Sequence, residues 1–138
     1  MAKKTGLGAT VSVDDSGGSL RDISNDVGAF QFNTPRGVQD VTGVDKSAFE
    51  RLLLLSDFQL GLTGVAFNTA TNAAHDVFKT TATQAGTITR TVTIVFAGGG
   101  TVTAEAMPTD YAISRNQDGS LGWTAQLQLA NGTAATWS

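Results

Sequence analysis

The feature that most constrains this chain is the alternation of apolar and polar residues in segments bounded by glycine-rich turns. From Leu121 to Leu129, every second residue is Leu, Trp or Ala, and the residues between them are Gly, Thr and Gln. Two similar segments flank Gly98–Gly100. A period of two is typical of a strand with one face buried and the other solvated. The sequence therefore predicts a mainly β protein, an antiparallel sandwich or barrel of six or more strands.

Two segments depart from this period. Ser47 and Glu50 have the spacing of a capping box, which predicts a short helix before the apolar run Leu52–Leu55 passes into a strand. Small and apolar residues further along the chain recur at helical spacing, which predicts one flanking helix from about Thr69 to Lys79. This helix is expected to pack on the sheet through Ala70, Ala73, Ala74, Val77 and Phe78.

The alternation also disappears between Asn33 and Lys46, so residues 33–46 are expected to form a long loop or extended arm of a single domain spanning residues 1–138. The terminal segments 1–8 and 130–138 are expected to be arms as well. Flat strands with open edges tend to pair with other chains, and a symmetric ring closes such edges. The long arm is thus a candidate inter-subunit contact, through Val38, Gln39, Asp40, Val41, Thr42, Gly43 and Val44.

Residue patterns for catalysis or ligand binding are not found in the sequence. It contains no cysteine, and its one histidine, His75, has no second histidine and no cysteine to work with as a catalytic or metal-binding residue. Gly98–Gly100 precedes a predicted strand and lacks the Lys-Ser/Thr of a phosphate loop. The paired aspartates lack the ligand spacing of a calcium loop. We therefore expect no enzymatic activity, no cofactor and no metal.

The charge pattern also excludes classes of partner. Nine basic residues stand against twelve acidic ones, and after Lys3 and Lys4 the basic residues are scattered singly, so no patch for gripping phosphates is expected. No stretch approaches the roughly 18 uncharged apolar residues of a membrane helix. The N-terminal lysines are not followed by an apolar block, so no signal peptide is expected.

Several blocks, in this order along the chain, resemble the major tail tube protein of siphophages. They are residues 22–27, 40–47, 55–68, 74–79 and 118–127. The resemblance implies a β-sandwich with a helix, whose subunits form hexameric rings stacked into a hollow, typically electronegative tube that delivers DNA to the host. It also implies assembly in the bacterial cytoplasm, a place in the virion tail, tape-measure and tail-completion proteins as partners, and no catalytic residues.

A conduit for DNA must not hold its cargo, so its lining should lack basic residues. Polar and acidic side chains on two predicted strands suit that role. The candidate lumen-facing residues are Asp57, Gln59, Thr63, Thr101, Thr103 and Glu105.

Two alternatives remain at this point. One is a capsid decoration protein or another β-rich virion component. The other is a carbohydrate-binding module, which would require Trp123 and Tyr111 to be exposed. The apolar phase that Trp123 shares with Leu121 and Leu127 favours a place in the core instead.

Overall fold

The computed structural model describes residues 3–138. Met1 and Ala2, part of the predicted N-terminal arm, lie outside the described residues. The described part contains ten strands and one helix. In chain order they are β1 (Thr10–Asp14), β2 (Leu20–Asp22), β3 (Val27–Asn33), β4 (Arg36–Asp40), β5 (Arg51–Ser56), β6 (Gln59–Gly64), α1 (Ala74–Phe78), β7 (Arg90–Phe96), β8 (Gly100–Arg115), β9 (Leu121–Leu129) and β10 (Thr136–Trp137).

Eight strands form one antiparallel sheet in the order β2-β1-β7-β8-β9-β6-β3, with β10 added alongside β8. Strand β8 has 16 residues and belongs to two layers. Its first half pairs with β7, its second half pairs with β9, and the register shifts between Pro108 and Asp110. Proline has no amide to donate to the ladder, so a bulge is expected there. The predicted antiparallel β-sandwich with one helix is confirmed.

The core lies between the two layers. The inward positions of the strands form one cluster with α1: Val11, Val13, Ile23, Phe58, Leu60, Leu62, Ala74, Val77, Phe78, Val92, Ile94, Val102, Ala104, Ala106, Trp123, Ala125 and Leu127. Phe96 of β7 contacts Phe30 and Phe32 of β3, with ring centroids 6.0 and 6.2 Å apart. Because both layers turn their apolar faces to this cluster, their outer faces point in opposite directions.

Helix α1 is much shorter than predicted. The segment from Thr69 does not enter the helix, because Asn72 adopts the left-handed region with φ of 65° and a right-handed helix cannot pass through it. The first turn is instead fixed by buried Asp26, whose carboxylate accepts hydrogen bonds from the Ala74 amide and the Asn68 side chain, each at 3.0 Å.

The other end of α1 is held by Arg90, which is completely buried. Its guanidinium donates to the carbonyl of Val77, the hydroxyl of Thr80 and the side chain of Gln84. Burial lowers the pKa of this guanidinium. No carboxylate within residues 3–138 is close enough to form an ion pair with it, so neutral oxygens accept its hydrogen bonds, and attraction to the more distant Asp15 and Asp14 partly offsets the effect of burial.

The helix predicted from Ser47 and Glu50 is wrong. The segment is the tip of a hairpin, in which the Glu50 amide donates to the Thr42 hydroxyl at 2.8 Å and Lys46 pairs with Glu50 at 3.3 Å. The non-local pairing of β4 with β5 overrides the local capping signal. Residues 33–46 are accordingly more regular than predicted, since they contain β4.

The C-terminal segment also differs from the expected arm. Thr136 and Trp137 pair with Thr103 and Val102 of β8, and the indole of Trp137 lies on Phe32, with centroids 5.9 Å apart. The end of segment 130–138 therefore packs on its own subunit, because β8 offers it an open edge. No helix in the described part of the chain is long and apolar enough to cross a membrane.

Candidate functional site: a polar sheet face and a leucine arm

The layer formed by β3, β6, β9 and the second half of β8 carries an unusual outer surface, which we call the polar face. The strand register aligns its side chains in three rows that run across the strands. The first row is Asn33, Gln59, Gln128 and Met107; the second is Gln31, Gly61, Gln126 and Asp110; the third is Ala29, Thr63, Thr124 and Ala112.

The polar face is almost uncharged. Strands β3, β6 and β9 contain no Asp, Glu, Lys or Arg in 7, 6 and 9 residues respectively. The rows carry one charged side chain, Asp110, at the β8 edge. A solvated sheet face normally carries charged residues, since these are the side chains most rarely buried. An exposed face of amides and hydroxyls is therefore a distinct surface, neither apolar nor ionic.

Both edges of this layer are open. Within residues 3–138, β3 pairs with β6 on one side and with no strand on the other. The part of β8 beyond Ala106 likewise pairs with β9 alone. In the opposite layer, by contrast, the edge strand β2 has only three residues, and β10 lies alongside the first half of β8. Unpaired strand edges are templates for another chain.

The structure divides the six lumen candidates between two faces. Gln59 and Thr63 lie in the rows of the polar face. Asp57 precedes β6, where its carboxylate accepts hydrogen bonds from the Phe58 amide at 2.8 Å and the Gln59 side chain at 3.2 Å.

The other three candidates, Thr101, Thr103 and Glu105, lie on the first half of β8 and point outward from the opposite layer. They are half-buried, and the Glu105 carboxylate accepts hydrogen bonds from the hydroxyls of Thr89 and Thr91. The two groups thus cannot line one surface of a single subunit.

Sequence reasoning missed Gln31, Gln126, Gln128 and Asp110 as members of the polar face. The glutamines of β9 had a visible signal, since they alternate with the core residues of the same strand. Gln31 also alternates with Phe30 and Phe32, but only the pairing register shows that Gln31 and Asp110 lie in one row with Gln126.

The second surface is the hairpin of β4 and β5, residues 36–56, which we call the leucine arm. All of β4 and residues 51–55 of β5 are exposed. Leu53 and Leu55 on one face of β5 are 62% and 92% exposed, and Leu52 and Leu54 on the other face are exposed as well. Both faces of the hairpin therefore expose leucines, and exposed apolar surface of this kind marks a site of interaction with another protein.

The arm is attached to the body at its base, where the Asp57 amide donates to the Pro35 carbonyl at 2.8 Å. Two-stranded hairpins are marginally stable alone in water. The predicted contact residues Val38 to Val44 lie on β4 and at the tip, with Val38, Val41 and Val44 exposed. The leucines of β5 complete this surface, although the sequence analysis assigned them only to a strand.

Two further side chains bear on the alternative functions. Trp123 is 2% exposed, and its indole nitrogen donates to the Ala66 carbonyl at 3.1 Å. Tyr111 is half-buried against it, burial raises the pKa of Tyr111, and its hydroxyl meets His75 Nδ1 at 2.9 Å. A carbohydrate platform built on exposed Trp123 and Tyr111 is therefore contradicted. No group of three or more His, Cys, Asp or Glu suited to a metal occurs within residues 3–138.

No protein-family model and no curated protein matches the sequence. Solved structures match it over nearly its whole length. A chain of the tail of an empty gene transfer agent (GTA) particle, refined with C6 symmetry, has a TM-score of 0.77 at 16% identity, covering 99% of both chains. A chain of the native GTA virion has a TM-score of 0.76 at 15% identity, also covering 99% of both chains.

A chain of the anti-feeding prophage baseplate, from a structure symmetrised six-fold, has a TM-score of 0.65 at 15% identity, covering 94% of this chain and 91% of that one. These particles are not described as siphophages, so the likeness does not single out that group. The protein has the fold of chains found in the tail and baseplate of such particles.

Proposed function

We propose that this protein is a structural tube subunit of a virion tail, which forms hexameric rings that stack into a hollow tube for delivery of DNA. The observation that carries the proposal is the pair of open edges on the layer that bears the polar face. A ring closes when β3 of one subunit pairs with the second half of β8 of the next. The likeness to a chain of a C6-symmetric tail supports six subunits as the closing number.

In a ring closed in this way, the polar face points towards the central passage. The layer becomes part of a continuous barrel, and its amide and hydroxyl rows form the lining of the passage. In this arrangement Gln59 and Thr63 face the lumen, while Thr101, Thr103 and Glu105 face outward. A lining without Lys or Arg offers no phosphate contacts, so DNA passes without being held.

The leucine arm is the contact between subunits. Its exposed leucines and valines, including Val38 and Val44, require a partner surface, and a neighbouring copy in the same or the next ring supplies it. Burial of such side chains is the main source of free energy in association. The tube is expected to assemble in the bacterial cytoplasm around a tape-measure protein and to be closed by tail-completion proteins.

Negative-stain electron microscopy of the purified protein tests the proposal, with rings or tubes of six-fold symmetry as the expected result. The matched variant replaces residues 37–55 by a short Gly-Ser linker. Both strands of the arm must go, because deletion of Val38 to Val44 alone would leave the leucines of β5 without their pairing strand.

The armless variant should fold and remain monomeric, as judged by circular dichroism and light scattering. A native protein that stays monomeric at high concentration, or that decorates capsids without forming tubes, would contradict the tube function. Normal assembly of the armless variant would show that the arm is not an inter-subunit contact.

A further inference from the structure

The three rows of the polar face contain twelve positions, and eleven of them are uncharged. In the first two rows, the four positions on β3 and β6 are Asn, Gln or Gly, and β9 adds two more glutamines. An amide side chain both donates and accepts hydrogen bonds and carries no net charge. Such a surface neither attracts nor repels a charged polymer strongly. Among these twelve positions, Asp110 is the one that carries a charge.

We propose that Asp110 sets the charge of the passage and so determines which cargo charge it retains. The inference rests on the proposed tube function. One carboxylate per subunit becomes six in each ring, repeated in every ring along the tube. These carboxylates repel polyanions and attract polycations at close range, within about 8 Å at physiological ionic strength.

The geometry favours Asp110 over the other acidic candidates. Its side chain is exposed and forms no hydrogen bond or ion pair within residues 3–138. Asp57 lies outside the three rows, before β6, where it is partly buried, and Glu105 lies on the opposite layer.

The subunit junction leaves Asp110 without a counterion. In a closed ring the strand beside the second half of β8 is β3 of the neighbour, which contains no basic residue. The next residue along the row is Gln126, which is also neutral. Neither β3 of the neighbour nor the row itself therefore supplies Asp110 with a counterion.

The test uses assembled tubes and a fluorescent oligolysine peptide at low ionic strength, with retention measured by co-sedimentation and protection by added protease. Asp110→Asn and Glu105→Gln each remove one carboxylate at nearly constant shape, from the two opposite layers. Native and Glu105→Gln tubes should retain protected peptide, and Asp110→Asn tubes should retain about tenfold less, because many weak contacts act together.

A second pair of variants tests the same surface by introducing positive charge and using a negatively charged probe. Gln126→Lys lies in the row of Asp110, and Val95→Lys lies on an exposed outward position of the opposite layer. A short single-stranded DNA should be retained and protected from nuclease by Gln126→Lys tubes, and released as salt rises. Tubes carrying Val95→Lys should leave any bound DNA open to digestion.

Equal peptide retention by Asp110→Asn and Glu105→Gln tubes would overturn the assignment of Asp110. Equal DNA protection by the two lysine variants, or none by Gln126→Lys, would show that the polar face does not line the passage. The absence of tubes from the native protein would instead refute the proposed function, and it would be visible by microscopy before any probe is added.

Discussion

Replacing Leu53 and Leu55 together by serine removes apolar surface from one face of the leucine arm. Full burial of a leucine side chain contributes about 1.5–3 kcal/mol. Leu55, at 92% exposure, has nearly all of that contribution still to gain in an assembly, and Leu53, at 62%, has somewhat more than half. The two together contribute about 3 kcal/mol per arm contact, which corresponds to roughly a 100-fold rise in the concentration needed for polymerisation.

The critical concentration is measured by light scattering over a dilution series, and the folding stability of the dissociated subunit by urea unfolding. Because both residues are exposed, the free energy of unfolding of the subunit should change by no more than about 0.5 kcal/mol. The control is Val65→Ser, which removes a similarly exposed side chain, 67%, outside the arm. An unchanged critical concentration in the double variant, or an equal rise in the control, would refute the assignment of the arm as the assembly contact.

Three further predictions concern folding, and urea unfolding followed by tryptophan fluorescence checks each. A Cβ at Gly64 would lie 1.9 Å from the indole nitrogen of buried Trp123, so Gly64→Ala should lower the free energy of unfolding by about 1–3 kcal/mol. The control is Gly61→Ala, whose Cβ would lie 3.9 Å from its nearest neighbour and should leave the free energy of unfolding nearly unchanged. Arg90→Met leaves the Val77 carbonyl of α1 without its donor and should lower the free energy of unfolding by about 3 kcal/mol. A decrease below about 1 kcal/mol would contradict the role of Arg90 in holding the helix. Hydrogen bonding from the Ser19 amide lowers the pKa of Asp15 below its usual 3.8. The ionised carboxylate therefore contributes fully to folding stability above pH 3.8, and this contribution is lost as the pH falls through the lowered pKa. Asp15→Asn should therefore lessen the loss of stability in acid while leaving its pH dependence near neutrality unchanged.

The features that were predicted most accurately from the sequence are those that depend on the residue pattern within a single strand. The alternation from Leu121 to Leu129 placed Trp123 and Leu127 in the core, and both are buried. Local signals failed where distant residues decide the conformation. The spacing of Ser47 and Glu50 predicted a helix, but the pairing of β4 with β5 makes this segment the tip of a hairpin.

The candidate lumen set combined residues of two opposite faces for a related reason. The period of two shows which side of a strand is polar, and it does so correctly for Gln59 and for Thr103. It cannot show that the two strands belong to layers facing opposite ways, since that depends on pairing between residues far apart in the chain. The same limit hid Asp110, whose neighbour across the strands is Gln126.

The long strand β8 has a mechanical consequence. Its covalent backbone runs from the layer paired with β7 into the layer paired with β9, with one bulge near Pro108 where the two meet. The layers cannot shear past one another without breaking hydrogen bonds on both sides of that bulge. A load applied to the layer that contains β7 is thus carried into the layer of the polar face along a continuous peptide chain, so the two layers bear tension together.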